Sequence, residues 1–160
     1  MFEIISCGVI LLASGYIGLH FKKHYKSRHF LLIEFYKLAE YIRLEINFKK
    51  TAITDILKNF TTENPEIRRI INDIISARQN GKTTEDALKS NLLKDEKKLL
   101  IEFFDKLGSK DIESEISDID LLIGKLKTLT AVTEKDIKHK GDLYFKLSIL
   151  IGLMVCVIFI

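Results

Sequence analysis

Apolar positions along this chain follow two patterns. Residues 4–21 carry no charge over 18 positions and are bounded by Glu3 and by Lys22-Lys23. A helix of that length spans about 27 Å, close to the hydrocarbon thickness of a bilayer. Residues 143–160 form a second apolar stretch of the same length, with one charge, Lys146, near its inner end. A lysine there can carry its ammonium along the helix to the interface. The pattern predicts a transmembrane helix at each end, over 1–21 and 143–160, and a helical domain over 22–142 between them. The first stretch reads as an uncleaved anchor: it starts with Glu3 rather than Lys or Arg, and no small-x-small cleavage pattern follows it.

Between the ends, apolar residues recur every three or four positions, the period of a helix with one buried face. The first helix is predicted to continue to about Asn47, with Leu31, Phe35, Leu38, Ile42 and Ile46 as its stripe. Thr51 is the expected cap of a short helix through Ile53, Ile56 and Leu57. Thr61 to Pro65 is a break in which Asn64 caps and Pro65 takes the first helical position. Ile67, Ile70, Ile71, Ile74 and Ile75 make the cleanest stripe, ended by Asn80-Gly81. Thr83 or Thr84 is expected to cap a short helix holding Ala87 and Leu88. Leu99, Leu100, Phe103, Phe104 and Leu107 mark the next helix, stopped by Gly108 in the left-handed conformation that glycine tolerates best. Ser109 is the expected cap of a long last helix bearing Ile112, Ile116, Ile119, Ile123 and Leu126. A break near Gly141 leads into the second apolar stretch. The expected fold is all-α: a bundle of five to six helices between N- and C-terminal transmembrane helices. The long first and last helices of the bundle should lie antiparallel.

Charge sets the orientation. Lys22, Lys23, Lys26 and Arg28 follow the first stretch; Lys135, Lys138, Lys140 and Lys146 precede or enter the second. The positive-inside rule then places the middle domain in the cytoplasm and both termini outside. Lys22, Lys23, Lys26, Arg28, Lys140 and Lys146 are the expected membrane-interface residues, with Tyr25 and Tyr144 at the same level. The net charge is only +3, so composition gives no case for nucleic-acid binding. The cysteines, Cys7 and Cys156, lie one in each apolar stretch and read as small apolar residues facing lipid or a neighbouring helix.

Candidate chemistry is sparse. Gly81-Lys82-Thr83 matches the end of a phosphate-binding loop, but the position five before Gly81 is Ser76 rather than glycine, and a helix precedes it. His20 and His24 stand four apart, a spacing able to hold a metal, and His29 and His139 lie near the same level if the end helices pair. A metal site needs a further strong ligand, so these histidines read first as interfacial. No nucleophile motif or cofactor loop is present, and the chain reads as a non-enzyme without cofactor or metal.

Several short runs carry a family resemblance. Residues 45–53, from Glu45 through Thr51 to Ile53, resemble an E-I-x-aromatic-x-x-T-P-L run, with Ala52 in place of the proline. Residues 103–111 resemble an F-G-x-x-L-G-x-x-D turn, with Phe104 in place of the first glycine. Glu115 stands where glutamine is common. Residues 147–153 resemble a closing L-G-x-L-x-G-L run, with Ser148 for the first glycine. In order and spacing these runs resemble the stage III sporulation protein AB family of endospore-forming bacteria. The resemblance implies a subunit of the channel-like complex joining the mother cell to the engulfed forespore. It also implies a cytoplasmic part similar to the helical domains of inner-membrane platform proteins in type II secretion and type IV pilus systems.

The implied function is a platform or scaffold, in the mother-cell membrane around the forespore. Its implied partners are a cytoplasmic secretion-type ATPase, other membrane subunits and the lipid bilayer, and the chain is a candidate homo-oligomer. Glu40, Arg43, Glu45, Lys110, Asp111 and Glu115 are the candidate partner contacts, with the loops at 61–65 and 81–84 as alternatives. A small metal-handling membrane protein or enzyme, or a plain coiled-coil tether, are the competing readings.

Overall fold

A computed structural model describes residues 2–49 and 52–159, with side chains described over 8–47 and 52–158. Among the described residues six α-helices follow one another: α1 Phe2–Lys49, α2 Ile53–Asn59, α3 Pro65–Gln79, α4 Lys94–Lys106, α5 Ile112–Asp136 and α6 Asp142–Phe159. A single π-helical turn, Ile137–Gly141, joins α5 to α6. No strand occurs among the described residues. The chain divides into two compact units, Phe30–Thr130 and the pair of end segments Met1–His29 with Ala131–Ile160.

In the unit Phe30–Thr130, the predicted stripes converge on one core. Leu31, Phe35, Leu38, Ile42 and Ile46 of α1 are buried with all five isoleucines of the α3 stripe. Ile56 and Leu57 of α2, Leu100 and Phe104 of α4, and Ile119, Leu122 and Leu126 of α5 complete it. Phe35 and Phe104 meet as tilted rings 6.2 Å apart. Burying side chains of this size contributes about 1.5–3 kcal/mol each, and that gain offsets the cost of ordering the helices.

The helix ends have identifiable causes. Asn64 Oδ1 accepts from the Glu66 amide at 3.0 Å, and Pro65 occupies the first helical position, as the sequence predicts. Gly81 (φ +62°) closes α3 with the Lys82 amide donating back to the Ala77 carbonyl, so Gly81-Lys82-Thr83 is a helix terminus followed by a loop. Arg78 donates to the carbonyls of Phe104 and Leu107, both at 2.7 Å, and so caps α4 from α3. Gly108 (φ +83°) makes the turn into α5.

Four expectations need correction or lie out of reach. Asp111, not Ser109, caps α5: its carboxylate accepts from the Ser114 amide at 3.1 Å, while the Ser109 hydroxyl donates to the Lys106 carbonyl. The segment around Ala87 and Leu88 is a pair of turns rather than a helix. Thr84 is held there from outside, its amide and hydroxyl both donating to Asp105 at 3.0 and 2.9 Å, and the stretch is too short to offset helix nucleation. Ile112 lies off the buried stripe at 42% exposure. Thr51 lies outside the described residues, and Ala52 precedes α2 without a side-chain cap.

In the unit of end segments, α1 runs antiparallel to the α5–α6 side. His29 Nδ1 lies 2.8 Å from Thr133 Oγ1, and Arg28 lies 3.8 Å from Asp136. Lys22 pairs with Asp142 at 2.7 Å. Farther along, Gly18 lies against Ser148 and Gly152 against Ser14, so closely that a Cβ on either glycine would overlap the serine hydroxyl. Both hydroxyls are satisfied inside their own helices, Ser14 on the Leu11 carbonyl and Ser148 on that of Phe145. The Cys156 side chain is buried; that of Cys7 lies outside the described residues. Among the described residues one helical run, Ile112–Ile158, is long and apolar enough to cross a membrane. Residues 4–7, which open the first apolar stretch, lie outside the described side chains.

Candidate interaction surface

Leu100 and Phe104 of α4 and Ile119 and Leu122 of α5 are buried in the common core, and other residues of the two helices together line a groove. One part is an open cleft of about 660 Å³, lined by the apolar Leu99, Leu121 and Leu129 with Gly124 and by the charged Asp95, Asp120 and Lys125. A smaller cleft of about 180 Å³ continues it past Phe103, Leu107 and Lys110. Leu121 borders both clefts and is 63% exposed. An exposed leucine in a groove that charged residues also line has the chemistry of a protein-docking surface, which needs both apolar and polar groups.

The Gly108 turn closes one end of the groove. Glu115 reaches back from the first turn of α5, and its Oε1 accepts from the Gly108 amide at 2.8 Å. Its Oε2 is buried and has no hydrogen-bond partner among the described residues. Glu115 is thus turned inward, 5% exposed, and holds the turn rather than presenting itself to a partner. Lys110 and Asp111 are exposed on the same turn. Lys110 pairs with Asp118 at 2.5 Å, and that hydrogen bond and charge raise its pKa. The Ser114 backbone amide, first among several partners, holds the Asp111 carboxyl below its ordinary range.

The other predicted contacts lie on the α1 edge. Arg43 meets Asp120 at 2.5 Å, which raises the guanidinium pKa further. Glu40 is exposed and accepts from the Tyr36 hydroxyl at 2.6 Å, and Glu45 is half-buried. Asp120 therefore stands between two surfaces, paired with Arg43 on one side and lining the α4–α5 groove on the other. Of the alternative loops, 61–65 is tied down: the buried Thr62 donates to Glu34 at 2.7 Å, and Arg68 donates to the Thr62 carbonyl.

Sequence reasoning did not single out Leu121. The pair Leu121-Leu122 gave no signal by itself, because adjacent apolar residues such as Ile70-Ile71 and Ile74-Ile75 are both buried.

In the unit of end segments, the predicted interface residues gather in one band. Lys22 pairs with Asp142, Arg28 with Asp136 and Lys140 with Asp136 at 2.8 Å; Lys23, Lys26, Lys140 and Lys146 are exposed. The Lys22 ammonium lowers the Asp142 pKa, and the Asp136 carboxylate raises that of Lys140. Tyr144 stacks between Phe21 and Tyr25, at 5.7 and 6.1 Å. Among the described residues no three His, Cys, Asp or Glu side chains converge as metal ligands. His20, His24 and His139 are exposed, and His29 is taken up by Thr133.

Neither a curated protein nor a solved structure matches the chain. The family model described as stage III sporulation protein AB (spore_III_AB) matches residues 3–160. That span takes in both end segments, the helical core, the Gly108 turn and the α4–α5 groove, and the chain therefore belongs to the stage III sporulation protein AB family, a family of sporulation proteins.

Proposed function

We propose that the chain is a two-pass membrane subunit of a secretion-like complex between mother cell and forespore, and that its helical bundle is a cytoplasmic platform. The partners in this reading are a secretion-type ATPase in the cytoplasm and other membrane subunits. It is a binding role without catalysis. The observation that carries it is Leu121, a large apolar side chain held in the open between two clefts on a well-packed bundle. The membrane part is supported by the apolar run Ile112–Ile158 and by exposed Leu147, Leu150, Leu153 and Val157 along α6. The basic residues beside both end stretches support the orientation.

Two measurements test it. Co-purification of the full chain with the ATPase from sporulating cells should succeed, and Leu121→Glu should weaken it at least tenfold. For topology, a Cys placed at Gly81 in a chain lacking Cys7 and Cys156 should react with an impermeant thiol reagent only after the cell is opened. Labelling from outside, or ATPase recovery unchanged by Leu121→Glu, counts against the platform. In the second case a plain tether is the better account.

A further inference from the structure

The positive charge of this chain gathers in the band of residues where the end segments leave their apolar stretches. Positions 22–28 and 134–146 hold eight Lys and Arg against three carboxylates, a net +5, while the whole chain carries only +3. The rest of the protein is therefore slightly acidic, and the positive charge is concentrated in this band.

Its construction brings the charge together. Gly141 is buried against the Lys22 stem, which lets the π turn lie close to α1. The turn itself presents Lys138, His139 and Lys140 in succession, all exposed, and Lys135 is exposed one turn earlier. A π turn spreads successive side chains differently from an α turn, and such turns occur often at functional sites. The carboxylates are engaged within the band: Asp136 by Arg28 and Lys140, Asp142 by Lys22, and Glu134 by Lys138 at 2.9 Å. Beside the charges stands the stacked trio Phe21, Tyr144 and Tyr25, and beyond it the exposed apolar surface of Leu143 and Leu147. Ammonium groups, then aromatic rings, then aliphatic side chains is the order of groups that a phospholipid meets from its headgroup inward.

We propose that this band is a binding site for anionic phospholipid headgroups of the cytoplasmic leaflet, selective against zwitterionic ones. The inference rests on the two-pass reading above. Lysine ammonium groups bind phosphate through charge-assisted hydrogen bonds. Near a membrane surface each lysine adds about 1 kcal/mol of attraction to anionic lipid, roughly fivefold in affinity. The net surplus of charge is thus large enough to gather such lipids around the protein rather than merely fix its orientation.

The test uses the full chain reconstituted in phosphatidylcholine vesicles containing a minor share of phosphatidylglycerol. Protein is excised with its surrounding lipid by an amphipathic copolymer, and the two lipids are quantified by mass spectrometry. The wild type should carry phosphatidylglycerol enriched at least threefold over the bulk vesicle. The combined variant Lys23→Gln, Lys135→Gln and Lys146→Gln should lose most of that enrichment, and the matching Lys→Arg variant should keep it. Lipid ratios equal to the bulk in the wild type, or enrichment unchanged in the Gln variant, would overturn the proposal. Flotation after an alkaline wash separates this from failure of the membrane reading. A chain that stays with the vesicles but shows no enrichment defeats the lipid site alone, and a chain released by the wash defeats both.

Discussion

Glu115 Oε1 accepts the Gly108 amide across seven residues at 2.8 Å, so the turn between α4 and α5 is closed by the helix that follows it. Only one carboxylate oxygen is used; the other is buried without a partner among the described residues. Glutamine supplies the same acceptor without a charge to desolvate. Glu115→Gln should therefore match or exceed the wild type in urea unfolding of the detergent-solubilised chain. Glu115→Ala strands the Gly108 amide and should cost about 1–3 kcal/mol. A Gln variant as unstable as the Ala variant would refute this account of the turn.

Gly108 and Gly81 both have positive φ, yet they are not equivalent. A Cβ at Gly108 would lie 3.0 Å from Ile53 Cγ1, whereas one at Gly81 meets nothing within 4 Å. Gly81→Ala should cost about 1 kcal/mol, the backbone term alone. Gly108→Ala adds crowding against α2 and should cost about 2 kcal/mol or more. Thermal unfolding of the two single variants ranks them directly.

Arg78 makes two hydrogen bonds in a fixed fork, to the carbonyls of Phe104 and Leu107. A lysine has one ammonium on a flexible stem and cannot match that geometry. Arg78→Lys should lower stability by about 1–2 kcal/mol although charge is conserved. An unchanged denaturant midpoint would mean that the guanidinium fork is dispensable.

Stability should also respond to acid through Glu34. Burial pushes its carboxyl up, but hydrogen bonds from Lys37 and Thr62, with the Lys37 charge, outweigh it and leave the pKa below the ordinary value of 4.5. The folded state thus favours the carboxylate. Its contribution is fully present above the unfolded pKa and is lost as pH falls through the lower folded value. Below about pH 4.5 the wild type should lose stability more steeply than Glu34→Gln, measured as urea midpoint against pH. Parallel curves would show that the Glu34–Thr62 link does not sense protonation.

The cap of α5 shows where sequence reading stops. Ser109 and Asp111 are both good caps by residue type. The choice falls to Asp111 because the Ser109 hydroxyl is already spent on the carbonyl of Lys106. Asp111→Ala should lower the unfolding temperature, and Ser109→Ala should change it much less. The buried stripes of α1 and α3, and the cap at Asn64-Pro65, were legible because each is written within one or two helical turns. The turns at Thr84 and the burial of Glu115 were not, since their causes, Asp105 and the Gly108 amide, lie outside the local pattern. The groove escaped for a related reason: stripe analysis finds what is buried, while Leu121 matters by being left over.

The facing of Gly18 on Ser148 and of Gly152 on Ser14 makes two notches and two pegs, one of each on α1 and one of each on α6. Such a lock fits at a single offset. Sliding by one residue would turn both pegs away from their notches, and each hydroxyl already donates to a carbonyl of its own helix. The two end segments are consequently addressed to each other and are not interchangeable apolar helices. Swapping either for a generic polyleucine span of equal length would preserve hydrophobicity and erase the address.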